Sequence, residues 1–405
     1  MAQIAGYSYV TLYLRQRYET HWLESIVPIE NSNIKKPGII ASFKSLKQWA
    51  EDEKGIRINA SVADVIRQYP MKVNEYYRSL IEAEGDPIWK QSIPDPKEFK
   101  RYANLEEDPL SEERYSPIEL IVRRYPDRVL LLVSNECAMY CRFCTRKRKI
   151  GDPTRNPTLS QIDSAINYIA KFNTENIDSY KPKIRDVLIS GGDPLTLSNS
   201  KLEHILESLR EVPGVEILRI GTRIPVTDPM RITEDHELVE MLRKYRDGPP
   251  LYVNTHFNHP REITTESRLA CRMLADAGIP LGNQTVLMRG VNDEPETMKQ
   301  LVQGLLTMRV RPYYIYMPDL VEGTGHFRVT VQTGLKVIEY LRGYTTGLAV
   351  PLLLIDGPGG KGKTPVMPDY VQRLSASGAM MKNYRGEEFI YPNPRQDEAG
   401  ENGKK

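Results

Sequence analysis

The sequence predicts an α/β fold whose core is a parallel sheet, closed into a full or partial (β/α) barrel. From residue 128 onward, short apolar runs alternate with longer stretches of 3.6-residue periodicity. Strand is followed by helix six times, which is typical of a parallel sheet with right-handed crossovers. Every predicted strand also ends in polar residues or glycine, as expected when a site lies at the carboxyl ends of barrel strands. A doubly wound open sheet is the alternative.

The predicted elements follow in order along the chain. Residues 1–115 have helix-like apolar spacing, interrupted at Pro70, and predict a helical N-terminal region. The predicted strands are RVLLLVS (128–134), DVLIS (186–190), EILRIGT (216–222), LYVNTH (251–256), LGNQTVLM (281–288), YYIYM (313–317) and VPLLLID (350–356). Ser160 with Asp163, and Ser200 with Glu203, predict capping boxes at the first two barrel helices. We expect the helical region over 1–115, the barrel over 116–345, a short C-terminal segment over 346–390 and a disordered tail over 391–405.

Composition excludes several classes of protein. The 55 Lys and Arg nearly balance the 53 Asp and Glu, giving a net charge of +2, which argues against nucleic acid or a membrane surface as the main partner. No apolar run is long enough to span a bilayer, and the N-terminus lacks the pattern of a secretory signal. Four cysteines in a chain of 405 residues are not a disulfide framework. The expected location is the cytoplasm.

Three of the four cysteines lie close together in NECAMYCRFCTRKRK (135–149), as Cys137, Cys141 and Cys144. Thiolates suit zinc or an iron–sulfur cluster, and structural zinc usually takes four protein ligands. The remaining cysteine, Cys271, is on a predicted helix far along the chain. A [4Fe–4S] cluster held by three cysteines would leave one iron open for a small molecule. A zinc knuckle is the alternative interpretation.

The C-x3-C-x2-C spacing, with Phe143 before the third cysteine, resembles the signature of the radical S-adenosylmethionine (SAM) superfamily. The resemblance implies a [4Fe–4S] cluster on Cys137, Cys141 and Cys144 whose open iron binds SAM. The adjacent basic run, residues 146–149, could be a nucleic-acid patch. Because it abuts the cluster loop, an anionic cofactor or substrate is the favoured interpretation.

A second informative stretch is DGPGGKGKTPVMPDY (356–370), after the last predicted strand. Gly357 to Thr364 formally match the nucleotide phosphate loop. Pro365 and Pro368 argue against the helix that such a loop requires. The favoured interpretation is a flexible loop that presents a lysine to a cofactor aldehyde, as in pyridoxal 5′-phosphate (PLP) enzymes.

Seven stretches together resemble the lysine 2,3-aminomutase family, in order from about residue 70 to about residue 385: CAMYCRFCTRKR, SGGDPL, RIGTRIPV, NTHFNHP, LGNQTVLMRGVND, YYIYMPDL and DGPGGKGKTPVMPDY. The fold implied is a partial (β/α) barrel of the radical SAM type. The resemblance implies that Lys363 binds PLP, with Lys361 as a rival, and that Asp319 and Asp356 receive the terminal ammonium of the substrate. Arg146 would hold the substrate carboxylate. The remaining implied cofactor contacts are Arg124, Tyr125 and Arg128 for the PLP phosphate, and Ser190, Gly191, Gly192, Asp193, His256 and Gln284.

The implied activity is that of an isomerase that moves the 2-amino group of L-lysine to carbon 3, giving β-lysine. It would use a 5′-deoxyadenosyl radical, a PLP aldimine and a low-potential electron donor. Pro318 stands where the family often has a cysteine, and the tail lacks the cysteines of the clostridial intersubunit zinc site, so any homo-oligomer would be held without zinc. The alternatives are the same reaction on L-arginine or another cationic amino acid, a radical SAM enzyme without PLP, and a zinc-binding structural or nucleic-acid module.

Overall fold

The structure is a computed structural model that describes residues 38–176 and 182–394. Its α-helices are α1 Phe43–Lys54, α2 Val62–Gln68, α3 Glu75–Ser79, α4 Pro87–Ser92, α5 Leu159–Glu175, α6 Asn199–Arg210, α7 Ile224–Thr227, α8 Met230–Thr233, α9 His236–Arg243, α10 Thr265–Asp276, α11 Pro295–Thr307 and α12 Val331–Leu341. Its strands are β1 Ile121–Val122, β2 Arg128–Ser134, β3 Asp186–Gly191, β4 Ile217–Gly221, β5 Leu251–Thr255, β6 Leu281–Val286, β7 Val310–Tyr316, β8 Leu352–Gly357, β9 Gly362–Pro365, β10 Val371–Ser375, β11 Gly378–Lys382 and β12 Glu388–Pro392.

The main sheet contains β1 to β9 in unbroken chain order. Strands β2 to β8 are parallel, and β1 and β9 pair antiparallel at the two edges. A doubly wound sheet reverses its strand order at a switch point, and this sheet does not. The edges β1 and β9 are not paired with each other in the described residues. The predicted partial (β/α) barrel is therefore confirmed, and the doubly wound alternative is wrong.

Burial alternates along the parallel strands with the two-residue period of a pleated sheet. In β2, for example, Val129, Leu131 and Val133 are buried, whereas the residues between them are partly exposed. The buried set joins the apolar faces of the surrounding helices in one hydrophobic core. The other set, from all nine strands, lines a single cavity. The sheet therefore curls around that cavity, with its core on the outer, helix-covered side.

Helix positions agree with the predicted periodicity, but the two predicted caps are wrong. Helix α5 is capped by Thr158, whose side chain and that of Gln161 bond each other's backbone N–H groups in a capping box. Helix α6 is capped by Ser198, which accepts a hydrogen bond from the N–H of Lys201. In both cases the last residue with extended backbone, which is the true cap, lies two positions before the predicted cap. Each helix therefore begins two residues earlier than predicted.

The segment after the barrel holds an element that the sequence did not predict. Strands β10, β11 and β12 form a separate antiparallel sheet, in which all residues of β10 and β12 are exposed. Strand β12 includes the first two residues of the predicted tail, and residues 395–405 lie outside the described residues. In the part of the chain that the structure describes, no helix has the length and apolar character needed to span a membrane.

Candidate active site

One cavity of about 710 Å³ opens inside the curled sheet and brings the predicted site residues together. All sixteen predicted site residues line it: Cys137, Cys141, Cys144, Arg124, Tyr125, Arg128, Arg146, Ser190, Gly191, Gly192, Asp193, His256, Gln284, Asp319, Asp356 and Lys363. They come from loops and strand ends spread over more than two hundred residues of sequence. For the residues that follow the parallel strands, this convergence results from the order of the sheet, which places successive carboxyl ends on one side. Arg124, Tyr125 and Arg128 instead lie at the amino end of β2.

The three cysteines lie on the loop that follows β2, and all three are free thiols. Burial raises the pKa of Cys137 well above its ordinary value and that of Cys144 to about 11. Such thiols stay protonated until a metal replaces the proton. Within residues 38–176 and 182–394, no group of three or more His, Cys, Asp and Glu side chains is arranged to hold a metal ion.

The Ser190–Asp193 loop packs directly against the start of the cysteine loop. Gly192 N–H donates to the Ser134 carbonyl and Asp193 N–H to the Glu136 carbonyl, at 2.5 and 2.7 Å. A Cβ on Gly192 would lie 2.2 Å from the Glu136 oxygen. Gly192 therefore permits the close approach of the neighbouring backbone and also lines the cavity. The Asp193 carboxylate accepts hydrogen bonds from Thr222 Oγ1, at 2.6 Å, and from the backbone N–H groups of Leu195 and Arg223. These hydrogen bonds fix the conformation of the loop.

His256, at the end of β5, is neutral and has a nitrogen without a partner. Its buried Nε2 makes no hydrogen bond to the described residues. Burial, followed by the nearby positive charge of Arg223, lowers the pKa of His256 to about 3. An unpaired buried nitrogen is costly unless a ligand satisfies it. His256 therefore offers a hydrogen bond to a polar ligand in the cavity.

Lys363 is presented by a hairpin rather than by the predicted flexible loop. Strand β9 pairs antiparallel with β8, so a phosphate loop, which needs a helix at this point, is excluded. Lys363 N–H donates to Tyr125 Oη at 2.9 Å, and its Nζ lies 3.0 Å from Asp356 Oδ2. Lys361 is exposed and does not line the cavity. The geometry thus separates the two lysines that the sequence left as rivals.

The two aspartates at this end of the cavity differ in their partners. Asp356 accepts two hydrogen bonds from Arg124, at 2.9 and 3.0 Å, in addition to that from Lys363. Although burial opposes ionisation, these two cations hold the pKa of Asp356 below its usual range. Asp319 accepts only a hydrogen bond from Thr145 Oγ1, at 2.7 Å, and has no ion pair with a described residue. Burial raises the pKa of Asp319 to about 6.

The basic run that follows the cysteines is neutralised inside the protein. Arg146 makes a two-point pair with Glu112, through Nε at 3.1 Å and Nη2 at 2.7 Å. The next three cations pair with Glu98, Asp108 and Glu113 of the segment before the barrel. A surface that binds nucleic acid needs cations free to reach phosphate. This geometry therefore disfavours the nucleic-acid alternative.

Several residues that line or border the cavity were not predicted to have a role. They are Glu112 and Thr145, which contact Arg146 and Asp319, the tyrosines Tyr313, Tyr314 and Tyr316, and Arg223, which contacts Cys141. The YYIYM motif could have identified Tyr314 and Tyr316, because period-2 positions on an inner strand face one side. Tyr313 is out of phase with them, next to a register shift in the pairing of β7 with β6. The other contacts join residues distant in the sequence.

A curled, mostly parallel sheet with three cysteines on the first βα loop defines a radical SAM protein, and comparison with known proteins agrees. A family model described as "Radical SAM superfamily" matches residues 131–302, and one described as "Lysine-2,3-aminomutase" matches residues 338–404. L-lysine 2,3-aminomutase of Acetoanaerobium sticklandii is 49% identical over 361 residues, which cover 88% of this chain and 82% of that protein.

Two further relatives bear on the family and on its substrates. L-lysine 2,3-aminomutase of Fusobacterium nucleatum is 51% identical over 360 residues, 88% of this chain and 80% of that protein. Glutamate 2,3-aminomutase of Clostridioides difficile is 45% identical over 327 residues, 80% of this chain and 74% of that protein. The chain belongs to the lysine 2,3-aminomutase family of radical SAM enzymes.

Membership in this family implies a [4Fe–4S] cluster, SAM and PLP, and the cavity residues fit these groups. Three free thiols on one loop supply the ligand type and number for a cluster with three protein ligands, although their side chains are not arranged around a metal position in the described residues. The unpartnered His256 nitrogen suits a polar cofactor, and the Lys363 amine suits the PLP aldehyde. Arg128 stacks on Tyr125 at 3.8 Å and is half-exposed, so it has donors left for a phosphate. Arg124 is less available, because Asp356 already occupies it.

Proposed function

We propose that this protein converts L-lysine into L-β-lysine by moving the amino group from carbon 2 to carbon 3. The observation that carries this proposal is Asp319, a partly buried carboxylate without a cation partner among the described residues, in the cavity that also holds the cysteines and Lys363. A buried unpaired carboxylate favours a bound cation. The terminal ammonium of lysine would supply that cation.

The electrostatics of this end of the cavity favour a substrate with a positive distal group. Asp356 raises the pKa of Asp319 through repulsion, after the larger effect of burial. An ammonium about 4 Å from one carboxylate gains about 4 kcal/mol at an intermediate dielectric constant. Glutamate would bring a second anion to the same place. We therefore favour lysine over glutamate, the substrate in the name of the Clostridioides difficile relative.

Arg146 is the residue best suited to the substrate carboxylate. Its Nε and Nη2 atoms already hold the carboxylate of Glu112, which fixes the plane of the guanidinium. The Nη1 edge is left to receive a second carboxylate, and a guanidinium recognises carboxylates by such paired contacts. A lysine held between Arg146 and Asp319 would be oriented at both ends before reaction.

The remaining roles belong to residues that hold the cofactors. Lys363 would hold PLP through its amine and Arg128 the phosphate, while Cys137, Cys141 and Cys144 would hold the cluster. When bound, the cluster and SAM supply a 5′-deoxyadenosyl radical, and PLP supplies a ring that delocalises unpaired spin beside the migrating nitrogen. Asp356 forms an ion pair with the free Lys363 amine, at 3.0 Å, and substrate binding would require that contact to be released. The curled sheet shields the reacting atoms from water.

We infer further properties that accompany this activity. The protein requires a low-potential electron donor, because the cluster must be reduced before it can cleave SAM. The low cysteine content is consistent with a cytoplasmic location. Any homo-oligomer would be held without zinc, since the sequence after residue 271 has no cysteine. The proposed contact with Arg146 needs a free carboxylate, so the substrate we propose is a free amino acid.

The test is product analysis on the full chain, purified without oxygen and reconstituted with iron and sulfide. The protein is incubated with dithionite, SAM and PLP, and with L-lysine, L-arginine or L-glutamate in parallel. We expect β-lysine from lysine and at least a hundredfold less product from the other two. β-Arginine or β-glutamate as the main product would contradict the assigned substrate. Absence of a cluster after reconstitution would contradict the whole proposal.

The two lysines of the hairpin provide a matched pair for the PLP assignment. Lys363→Ala removes the amine that faces the cavity, so we expect loss of β-lysine formation and of the absorption band of lysine-bound PLP. Lys361→Ala removes an exposed side chain on the same turn and should behave like the unmodified protein. Loss of the PLP band in Lys361→Ala alone would reverse the assignment.

A further inference from the structure

Arg223 is a buried arginine that contacts one of the three cysteines. It follows β4, at the start of helix α7, and its side chain is 8% exposed. Its Nη1 donates to Cys141 Sγ at 3.0 Å. The guanidinium also lies 5.2 Å from the ring of Phe143, the aromatic residue between the second and third cysteines. Arg223 thus contacts the cysteine loop at two side chains, the sulfur of Cys141 and the ring of Phe143.

The other donors of Arg223 hold the guanidinium in place. Nε donates to the His256 carbonyl at 3.2 Å. Nη2 lies within hydrogen-bond distance of Tyr77 Oη, Gln91 Oε1 and Glu262 Oε1, at 3.1, 2.7 and 2.6 Å. Glu262 is itself fully buried and accepts hydrogen bonds from Tyr77 and from two backbone N–H groups. An arginine fixed on every side keeps its contact with the sulfur without reorganisation.

We propose that Arg223 sets the reduction potential of the cluster by donating a charged hydrogen bond to the Cys141 sulfur. Reduction adds one electron from the external donor to the cluster, and part of that negative charge resides on the cysteine sulfurs. A cation and a hydrogen bond at the sulfur stabilise the reduced form more than the oxidised form, which raises the potential. The inference rests on the cluster of the proposed function, but not on lysine as the substrate.

Arg223 remains charged in this buried position. A guanidinium keeps its proton even when buried, because its intrinsic pKa lies far above neutral pH. Glu262 partly compensates the positive charge, at 2.6 Å from Nη2. The effect on the cluster is therefore the balance between Arg223 and Glu262. This balance predicts opposite effects when each residue is neutralised.

The experiment is a redox titration of the reconstituted protein without SAM or substrate, followed by the electron paramagnetic resonance signal of the reduced cluster. Arg223→Gln should lower the ratio of reduced to oxidised cluster at least tenfold at a fixed solution potential, a shift of at least 59 mV toward more negative potentials. Glu262→Gln keeps the shape of the side chain and removes its charge, so it should shift the potential in the positive direction. Iron content per chain is measured for every variant.

Arg231→Gln is the matched control. Arg231 is a partly buried arginine on helix α8, paired with Asp235, and it does not line the cavity. We expect the reduction potential of the cluster in Arg231→Gln to equal that in the unmodified protein. General loosening of the fold does not predict opposite shifts for Arg223→Gln and Glu262→Gln.

Unchanged potentials in Arg223→Gln, or a negative shift in Glu262→Gln, would overturn the inference. If Arg223→Gln does not retain a cluster, the sign of the shift in Glu262→Gln decides. Unchanged potentials together with normal β-lysine formation would refute the role of Arg223 and leave the proposed function intact. Failure of the unmodified protein to assemble any cluster would refute both.

Discussion

Asp319 and Asp356 line the same cavity but ionise differently. The two-point contact with Arg124 keeps Asp356 charged. The carboxylate of Asp319 accepts a hydrogen bond only from Thr145, and burial raises the pKa of Asp319 to about 6. The two aspartates therefore differ in charge state and in the partners available to them. Asp356 is occupied by groups of the chain itself, and Asp319 is left for a cation from outside.

This difference predicts how substrate capture depends on pH. Because the pKa of Asp319 is raised, its carboxylate is charged above about pH 6 and protonated below it. We expect kcat/KM for lysine to fall as pH decreases through 6, approaching tenfold per unit. Asp356 has a lowered pKa and should not titrate in this range. The measurement is kcat/KM at saturating SAM, from about pH 5 to about pH 8.

The control is Asp319→Asn, which cannot ionise. We expect it to lower kcat/KM by about a hundredfold at neutral pH, equivalent to about 2.7 kcal/mol, and to remove the acidic fall. If the variant keeps the fall, the titrating group lies elsewhere. If the unmodified protein shows no fall, Asp319 does not receive the substrate ammonium.

At the residue scale, the sequence predicted which side chains meet but not how they pair. Residue type and strand order suffice for convergence, because parallel strands end on one side of the sheet. The pairing depends on approaches between distant segments. Arg146 to Glu112, Cys141 to Arg223 and Thr145 to Asp319 span 34, 82 and 174 residues of sequence, and no local pattern encodes them.

At the scale of elements, periodicity located the strands and helices but not their ends. The apolar period of α5 and α6 is clear in the sequence, whereas their first residues depend on where the backbone leaves the extended conformation. The sheet of β10 to β12 was not predicted because its outer strands bury no residue. Without a buried face there is no two-residue pattern to detect.

The contact between two loops gives a prediction at this scale. A Cβ on Gly192 would lie 2.2 Å from the backbone oxygen of Glu136, one residue before Cys137. Gly192→Ala must therefore displace the cysteine loop. We expect less iron per chain after reconstitution and a loss of stability of about 1–3 kcal/mol, measured by iron analysis and thermal unfolding.

Gly347→Ala is a suitable comparison, since a Cβ there meets no atom within 4 Å. Its iron content should be unchanged, and its stability should stay within about 0.5 kcal/mol. Equal iron content and equal unfolding temperatures in the two variants would show that the close approach of these loops does not position the cysteines.

At the scale of the whole molecule, the helical segment before the barrel is part of the site. The carbonyls of Lys72 and Gln91 accept hydrogen bonds from the cysteine loop, both at 2.9 Å. Pro109 accepts a hydrogen bond from the hairpin turn before Lys363 at 2.7 Å. Sequence patterns showed helices here but no chemistry, because the contribution is made by backbone and by charge pairing. The segment from residue 39 to residue 115 therefore supports both the cysteine loop and the Lys363 hairpin.

Glu98 tests whether this segment and the barrel unfold together. Its buried carboxylate pairs with Arg142 Nε at 2.9 Å and with Lys147, both on the cysteine loop. Although burial opposes ionisation, these cations lower the pKa of Glu98. Glu98→Gln leaves two buried cations without their anion, which should cost about 3–5 kcal/mol. Glu113→Gln removes an exposed partner of the same basic run and should cost less than about 1 kcal/mol.

The tryptophans make the coupling measurable. Trp49 and Trp89 lie in the segment from residue 39 to residue 115, whereas Trp22 lies outside the described residues. In a Trp22→Phe background, tryptophan fluorescence therefore reports this segment, whereas circular dichroism is dominated by the helices of the barrel. Because the ion pairs of Glu98 join the two parts, we expect both signals to change at one temperature, and Glu98→Gln to lower that temperature for both. If Glu98→Gln lowers the transition temperature seen by fluorescence but not the one seen by circular dichroism, the segment unfolds separately from the barrel. The cysteine loop would then keep its conformation without the segment.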